Sequence, residues 1–102
     1  MSRSLALLAV ILPVMAAAQS ANPQLTVNPI FEKQCAKCHG KTAEGRHFAG
    51  PSLMSGKSTS LSEEELRNII SHGKGRMPKY AGKLKPEEID TLVHQITAAR
   101  GK

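Results

Sequence analysis

A shortage of apolar residues is the feature that most restricts what this chain can fold into. Of the 84 residues after position 18, 27 belong to the hydrophobic set, and only Phe31, Phe48 and Tyr80 are aromatic. That share, roughly a third, is below the usual share in a globular domain. A domain this small then needs an internal support such as disulfides, a metal or an apolar cofactor. A length of 102 residues fits one domain and excludes a large enzyme with its own substrate domain.

Residues 1–18 have the layout of a cleaved secretory signal peptide. Arg3 precedes an apolar run that begins at Leu5, and three alanines at positions 16–18 form a small-residue cleavage pattern. From Leu5 to the last of these alanines there are 14 residues, interrupted by Pro13, which is short for a membrane span. We therefore expect an exported, periplasmic protein with no stable membrane anchor.

The charge of the chain favours acidic partners. The formal net charge is +6, and Arg3 is the only charged residue before position 19, so the remainder carries +5. Most of the basic surplus lies in one stretch, at Lys74, Arg76, Lys79, Lys83 and Lys85. Such a patch attracts acidic proteins and speeds their encounter. Nucleic acid would also suit a basic patch, but the export signal and the scarcity of aromatic residues argue against it.

Caps and helical spacing predict an all-α domain over residues 28–102, preceded by a flexible arm over residues 19–27. Asn28 and Pro29 have the residue types of an N-cap and a first helical position, and we expect that helix to end at Ala36. A second helix is predicted from Ser62, which can form a capping box with Glu65.

A third helix is predicted from Pro86, because its apolar residues recur on one helical face, at Ile89, Leu92, Val93 and Ile96. Residues 40–60 and 73–83 are rich in glycine and predict two long loops. Long loops in a compact domain usually wrap around something. The expected fold is three helices and long loops around a non-protein core.

The motif C-x-x-C-H, formed by Cys35, Cys38 and His39, supplies a candidate for that core. This spacing is typical of haem c attachment. Two thiols three residues apart can form thioethers with the two vinyl groups on one edge of the macrocycle. The next residue then directs an imidazole at the iron, so the motif predicts covalent haem c with His39 as an iron ligand.

Other interpretations of the two cysteines are weaker. They could form a local disulfide or a thioredoxin-like redox pair, but that pair normally lies in a βαβ context, and no strand pattern is present. They could also be half of a zinc site, although no second cysteine pair exists to complete a structural one.

Met77 is the candidate for the sixth coordination position of the iron. It lies before Pro78 in a glycine-rich loop, and a thioether is a soft, neutral ligand that raises the reduction potential. Four further side chains are alternatives: Met54, His47, His72 and His94. A core role for Met54 and surface positions for the histidines are the simpler interpretations.

A turn at residues 50–53 is a candidate for support of the haem site. A metal-bound imidazole usually donates its other ring N–H to a carbonyl group, and the carbonyl of Pro51 could accept it. Leu53 could pack on the ring. An ordinary turn is the simpler interpretation of this pattern.

Together these motifs resemble the small class I cytochromes c that serve as soluble bacterial electron carriers. The resemblance rests on the Phe31 lead-in, the C-x-x-C-H motif, the turn at residues 50–53 and the Met77-Pro78 loop, and it covers most of residues 28–96. It implies covalent haem at Cys35 and Cys38, with His39 and Met77 as axial ligands. It also implies that Pro51 accepts the His39 hydrogen bond and that Tyr80 lies near the exposed haem edge.

Two positions depart from the pattern of that family. Members often have glycine eight residues before the first cysteine, where the terminal helices cross closely, and this chain has Val27. The last helix often has an aromatic residue facing that glycine, and Gln95 takes the matching place.

The expected function is single-electron transfer rather than enzymatic catalysis, with an oxidase, a dehydrogenase or a respiratory complex as acidic redox partner. An open or labile sixth position would instead make the chain a gas-ligand sensor or a peroxidase-like enzyme. The two alternatives differ in whether the ferric protein shows the sulfur–iron charge-transfer band.

Overall fold

The computed structural model describes residues 24–100 and is all-α, as predicted. Its helical elements in chain order are α1 (Gln24–Val27), a π-helical turn (Phe31–Cys35), α2 (Ala36–His39), a 3-10 helix (Gly56–Ser60), α3 (Glu63–His72) and α4 (Pro86–Arg100). Within residues 24–100 no strand is formed, and only isolated bridges occur. In the same range, no helix is both long enough and apolar enough to cross a membrane. The predicted signal peptide, residues 1–18, lies outside the described residues.

The flexible arm predicted for residues 19–27 is wrong at its end. Residues 24–27 form α1, and the side chain of Leu25 is only 1% exposed, because it packs into the hydrophobic core. A single helical turn with one buried residue shows no periodicity in the sequence, so this element was not predicted. Residues 19–23 lie outside the part of the chain that the structure describes.

Asn28 starts the next helical segment and also contacts the last helix. Its Oδ1 accepts a hydrogen bond from the Ile30 amide at 2.8 Å, which is the predicted capping role. Its Nδ2 donates to Oε1 of Gln95 in α4 at 2.8 Å. Val27, which takes the place of the family glycine, is 67% exposed. The terminal helices therefore meet through Leu25 and the Asn28–Gln95 bond, and Val27 does not lie in the crossing.

The predicted end of this segment at Ala36 is wrong, because the helical backbone continues to His39. A π-helical turn interrupts it directly before the C-x-x-C-H motif, and the amide of Ala36 donates to the carbonyl of Phe31. Turns of this kind recur at functional sites. Phe31 is buried, so the turn is anchored in the core.

Helices α3 and α4 begin as predicted and pack against each other. The capping box is complete, since the Glu65 amide donates to Ser62 Oγ at 3.0 Å and the Ser62 amide donates to Glu65 Oε1 at 2.8 Å. An ion pair of 2.6 Å joins Arg67 in α3 to Asp90 in α4. The predicted apolar face of α4 is buried, at Ile89, Leu92, Val93 and Ile96.

Candidate haem-attachment site

The two cysteines lie three positions apart on one helical stretch, with Cys35 ending the π-helical turn and Cys38 in α2. Both thiols are free and half-buried, so the local disulfide is not formed. Burial, and secondarily the neighbouring Cys38, raises the pKa of the Cys35 thiol to about 11. Among residues 24–100, no group of three or more His, Cys, Asp or Glu side chains is arranged to hold a metal ion. The zinc interpretation therefore has no ligand set in this range.

The imidazole of His39 is oriented by the carbonyl of Pro51. The distance from His39 Nδ1 to Pro51 O is 2.7 Å, and this is the contact expected from the sequence. A carbonyl oxygen can only accept, so Nδ1 carries the ring proton and Nε2 has a free lone pair. An imidazole in this state is a metal ligand whose basicity is raised by the bond at Nδ1. With two thiols and one such imidazole, the donor set fits covalent haem c.

Close backbone packing holds Pro51 in this position. A methyl group on Gly50 would lie 2.8 Å from the carbonyl oxygen of Cys38, so only glycine allows the approach. The amide of Gly45 donates to the His39 carbonyl at 2.7 Å. The Leu53 amide donates to the Ala43 carbonyl at 2.8 Å, and Leu53 is buried in the core. The first long loop thus folds back onto the C-x-x-C-H motif.

The second loop presents Met77 at the edge of the same core. Met77 is half-buried and packs against the core cluster, as does Cys35. Lys74 and Met77 exchange two backbone hydrogen bonds, of 3.1 and 2.9 Å, which close a tight turn. Gly73 has a φ of +81° and its missing side chain leaves room for the Met77 carbonyl, which would be 2.6 Å from a methyl group there.

Tyr80 joins this loop to the cysteine motif. Its hydroxyl donates to the carbonyl of Gln34 at 3.0 Å, directly before Cys35. Burial, followed by Cys35 and Cys38, raises the pKa of Tyr80 above 10.0. Tyr80 is buried, with 4% of its surface exposed, and its place near the haem edge stays a prediction. The short spacing between Met77 and Tyr80 predicts that Tyr80 lies near the site. It does not predict the contact of Tyr80 with Gln34, which is 46 positions away.

The four alternative iron ligands differ from one another in burial. Met54 is half-buried and packs against the core cluster. The three other histidines are exposed: His47, His72 and His94. The ring of His47 contacts that of Phe48 at a tilt of 53°, with 4.1 Å between centroids, and His94 Nε2 lies 3.4 Å from Glu63 Oε1. His72 Nδ1 lies 3.2 Å from the carbonyl oxygen of Asn68, within the same helix, whereas the contact of His39 with Pro51 joins two separate segments of the site.

Comparison with known proteins supports this interpretation. The family model described as cytochrome c oxidase, cbb3-type, subunit III matches residues 23–95. The menaquinol:cytochrome c reductase cytochrome c subunit of Bacillus subtilis (strain 168) is 32% identical over 74 residues, which are 72% of this chain and 28% of that protein. Cytochrome c-551 of the same organism is 38% identical over 52 residues, 49% of this chain and 42% of that protein.

One further relative and one solved structure also resemble this chain. The cbb3-type cytochrome c oxidase subunit CcoP of Helicobacter pylori (strain ATCC 700392 / 26695) is 39% identical over 62 residues, 60% of this chain and 20% of that protein. The solved structure of the c-type cytochrome NirC superposes with a TM-score of 0.59 at 26% identity and covers 72% of this chain and 85% of NirC. The chain spans less than a third of the reductase subunit and of CcoP.

The family match extends over well more than half of the chain and includes the C-x-x-C-H motif. The resemblance to cytochrome c is therefore confirmed, and so is the cytochrome c fold. The chain belongs to the cytochrome c family described as cytochrome c oxidase, cbb3-type, subunit III, whose members are electron-transfer proteins that bind haem c covalently.

Proposed function

We propose that this chain is a soluble periplasmic electron carrier that transfers single electrons between redox proteins. Cys35 and Cys38 would hold the haem covalently, and His39 and Met77 would bind its iron. The hydrogen bond of 2.7 Å between His39 and Pro51 is the observation that carries the proposal, since it leaves Nε2 of His39 ready to bind iron. When bound, the haem supplies an iron that alternates between the ferric and ferrous states.

The position of Met77 supports its role as the second ligand. Its side chain is half-buried at the core to which Cys35 also packs, and its backbone is held in a closed turn with Lys74. A thioether ligand favours ferrous iron and raises the reduction potential. Because both loops are anchored by backbone hydrogen bonds, His39 and Met77 keep their places in both oxidation states, which lowers the reorganisation that accompanies electron transfer.

The surface around Met77 supports an acidic protein as the partner. The basic residues of this loop are all exposed: Lys74, Arg76, Lys79, Lys83 and Lys85. A cluster of one sign steers a partner of the opposite sign to the nearby haem edge and orients it there. Two relatives are named as subunits of a menaquinol:cytochrome c reductase and of a cbb3-type oxidase, which supports a respiratory donor or acceptor. The export signal predicted in residues 1–18 supports the periplasm as the compartment of this exchange.

Replacement of each half-buried methionine in turn tests the proposal. Met77→Ala removes the thioether, so we expect a lower reduction potential and loss of the near-infrared sulfur–iron band of the ferric protein. Met54→Ala is the matched control, because Met54 is also half-buried against the core. It should lower stability by about 2–5 kcal/mol and leave the band in place.

Two results would overturn this assignment. If the band survives in Met77→Ala and is lost in Met54→Ala, then Met54 is the ligand. If the unaltered ferric protein has no band and binds cyanide rapidly, or its ferrous form binds carbon monoxide rapidly, the sixth position is open. That outcome would favour the gas-sensing or peroxidase-like alternative over the electron carrier.

A further inference from the structure

A side-chain hydrogen bond spans the two halves of the site. The hydroxyl of Tyr80 donates to the carbonyl of Gln34 at 3.0 Å, across 46 positions of sequence. Gln34 directly precedes the first haem cysteine, and Tyr80 is three residues after Met77. The segment that follows the proposed ligand is thereby tied to the turn that attaches the haem.

The backbone of Tyr80 is held as firmly as its side chain. Its amide donates to the carbonyl of Ile70 in α3 at 3.0 Å. Its own carbonyl accepts from the amides of Lys83 and Leu84, both at 2.9 Å. The ring is buried, and Lys83 Nζ lies 5.5 Å from its centroid. A residue whose amide, carbonyl and hydroxyl are all bonded has little freedom to move.

This anchor limits how far Met77 can travel. Tyr80 is three positions after Met77, and a fully extended chain over three positions spans at most about 11 Å. Pro78 lies within this stretch and restricts it further, because its ring fixes φ. The hydrogen bond from the Tyr80 amide to Ile70 attaches the loop to α3. The hydrogen bond from the Tyr80 hydroxyl attaches the loop to the haem-attachment turn.

We propose that Tyr80 is a positioning residue, whose hydroxyl bond to Gln34 slows the departure of the Met77 sulfur from the haem iron. The inference rests on the proposed ligation by Met77. It concerns a residue that does not touch the iron and acts only through the short segment between Tyr80 and Met77. Phenylalanine at this position would keep the packing of the ring and lose the bond.

Displacement of Met77 by imidazole in the ferric holoprotein measures this effect. At saturating imidazole, the rate at which the sulfur–iron band disappears reports the release of Met77. Loss of one hydrogen bond is expected to speed this release roughly 2–10-fold in Tyr80→Phe. Thr97→Val is the matched control: its hydroxyl donates to His94 O at 3.1 Å and Glu63 Oε2 at 3.2 Å, away from the Met77 loop. Its rate should equal that of the unaltered protein.

A second variant tests the bond without changing the fold. The chain has one tyrosine, so biosynthetic 3-fluorotyrosine alters Tyr80 alone. Its more acidic hydroxyl is a stronger donor, and imidazole should then displace Met77 more slowly than in the unaltered protein. Opposite shifts in the two variants would support the inference.

Other outcomes overturn it. If Tyr80→Phe retains the band and releases Met77 at the rate of the unaltered protein, the positioning role is wrong while ligation by Met77 stands. An equal acceleration in Thr97→Val shows general loosening and also contradicts the role. Absence of the band in the unaltered ferric protein overturns the proposed ligation, and this inference with it.

Discussion

Gly50 packs against the backbone of Cys38 so closely that a methyl group on Gly50 would lie 2.8 Å from the Cys38 carbonyl oxygen. Pro51 follows directly, and its carbonyl oxygen is 2.7 Å from His39 Nδ1. One close backbone approach therefore places both the turn and the acceptor of the imidazole proton. Any side chain at position 50 should disturb the proposed haem ligand, His39, through this contact.

Substitution Gly50→Ala tests this relationship. The added methyl forces the turn away from Cys38, and we expect the free energy of unfolding to fall by about 1–3 kcal/mol. A longer His39–Pro51 bond makes the imidazole a weaker donor to iron, so the reduction potential should rise. Thermal unfolding and a redox titration measure the two effects.

The control for Gly50→Ala is Gly56→Ala. A methyl group on Gly56 meets no atom within 4 Å, but its φ of +76° is strained for alanine. This variant should lose about 1–2 kcal/mol of stability and keep its potential. Equal potentials in the two variants would show that Gly50 does not act on His39.

The capping box of α3 predicts a stability change away from the haem. Ser62→Ala removes the acceptor of the Glu65 amide, and we expect a loss of about 1 kcal/mol in unfolding free energy. Ser62→Asp restores an acceptor and should recover most of that loss. Chemical denaturation distinguishes them, and identical midpoints for Ser62→Ala and Ser62→Asp would contradict the capping role.

Tyr80 should titrate above its ordinary pKa of 10.0, chiefly because burial disfavours the phenolate. The thiol charges that add to this shift disappear once Cys35 and Cys38 are thioethers, so burial remains as the cause in the holoprotein. Since the pKa is raised in the folded state, the associated stability is fully present below pH 10 and is lost as pH rises through the folded value.

The single tyrosine makes this titration direct. In protein labelled with ¹³C-tyrosine, the NMR midpoint of the folded state should lie above that of the denatured chain. With rising pH, the free energy of unfolding of Tyr80→Phe should change less than that of the unaltered protein. A folded midpoint at or below 10.0 would mean that the Tyr80 hydroxyl is solvated.

Charge reversal tests the docking surface. Lys79→Glu and Lys57→Glu change the net charge equally, but only Lys79 belongs to the exposed basic cluster around Met77. On a gold electrode coated with a carboxylate-terminated monolayer, Lys79→Glu should reduce the amount of bound, electroactive protein several-fold. Lys57→Glu should have a smaller effect, and both effects should shrink at high salt. Equal losses would place the docking surface elsewhere.

Local signals in the sequence predict the features that depend on neighbouring residues. The capping box at Ser62, the cap at Asn28 and the buried face of α4 are all present as expected. Each involves residues within one or two helical turns. The His39–Pro51 contact spans 12 positions, and its prediction depends on the resemblance to class I cytochromes c as well as on the need of a metal-bound imidazole for a carbonyl acceptor.

Contacts between residues far apart in the chain are harder to predict from the sequence. The Asn28–Gln95 bond spans 67 positions and the Tyr80–Gln34 bond spans 46, and neither leaves a periodic pattern. The turn of α1 is too short to show one, and its burial depends on Leu25 alone. These contacts depend on how the terminal helices and the loops meet, which local propensity does not determine.

A potentiometric titration of the exported, purified protein, followed by visible and near-infrared absorption, tests the central claim most directly. We predict a reversible couple that fits one electron per chain, with a sulfur–iron band in the ferric form that vanishes on reduction. A protein that shows no haem absorption, or whose haem fails to cycle reversibly with one electron, would contradict the account.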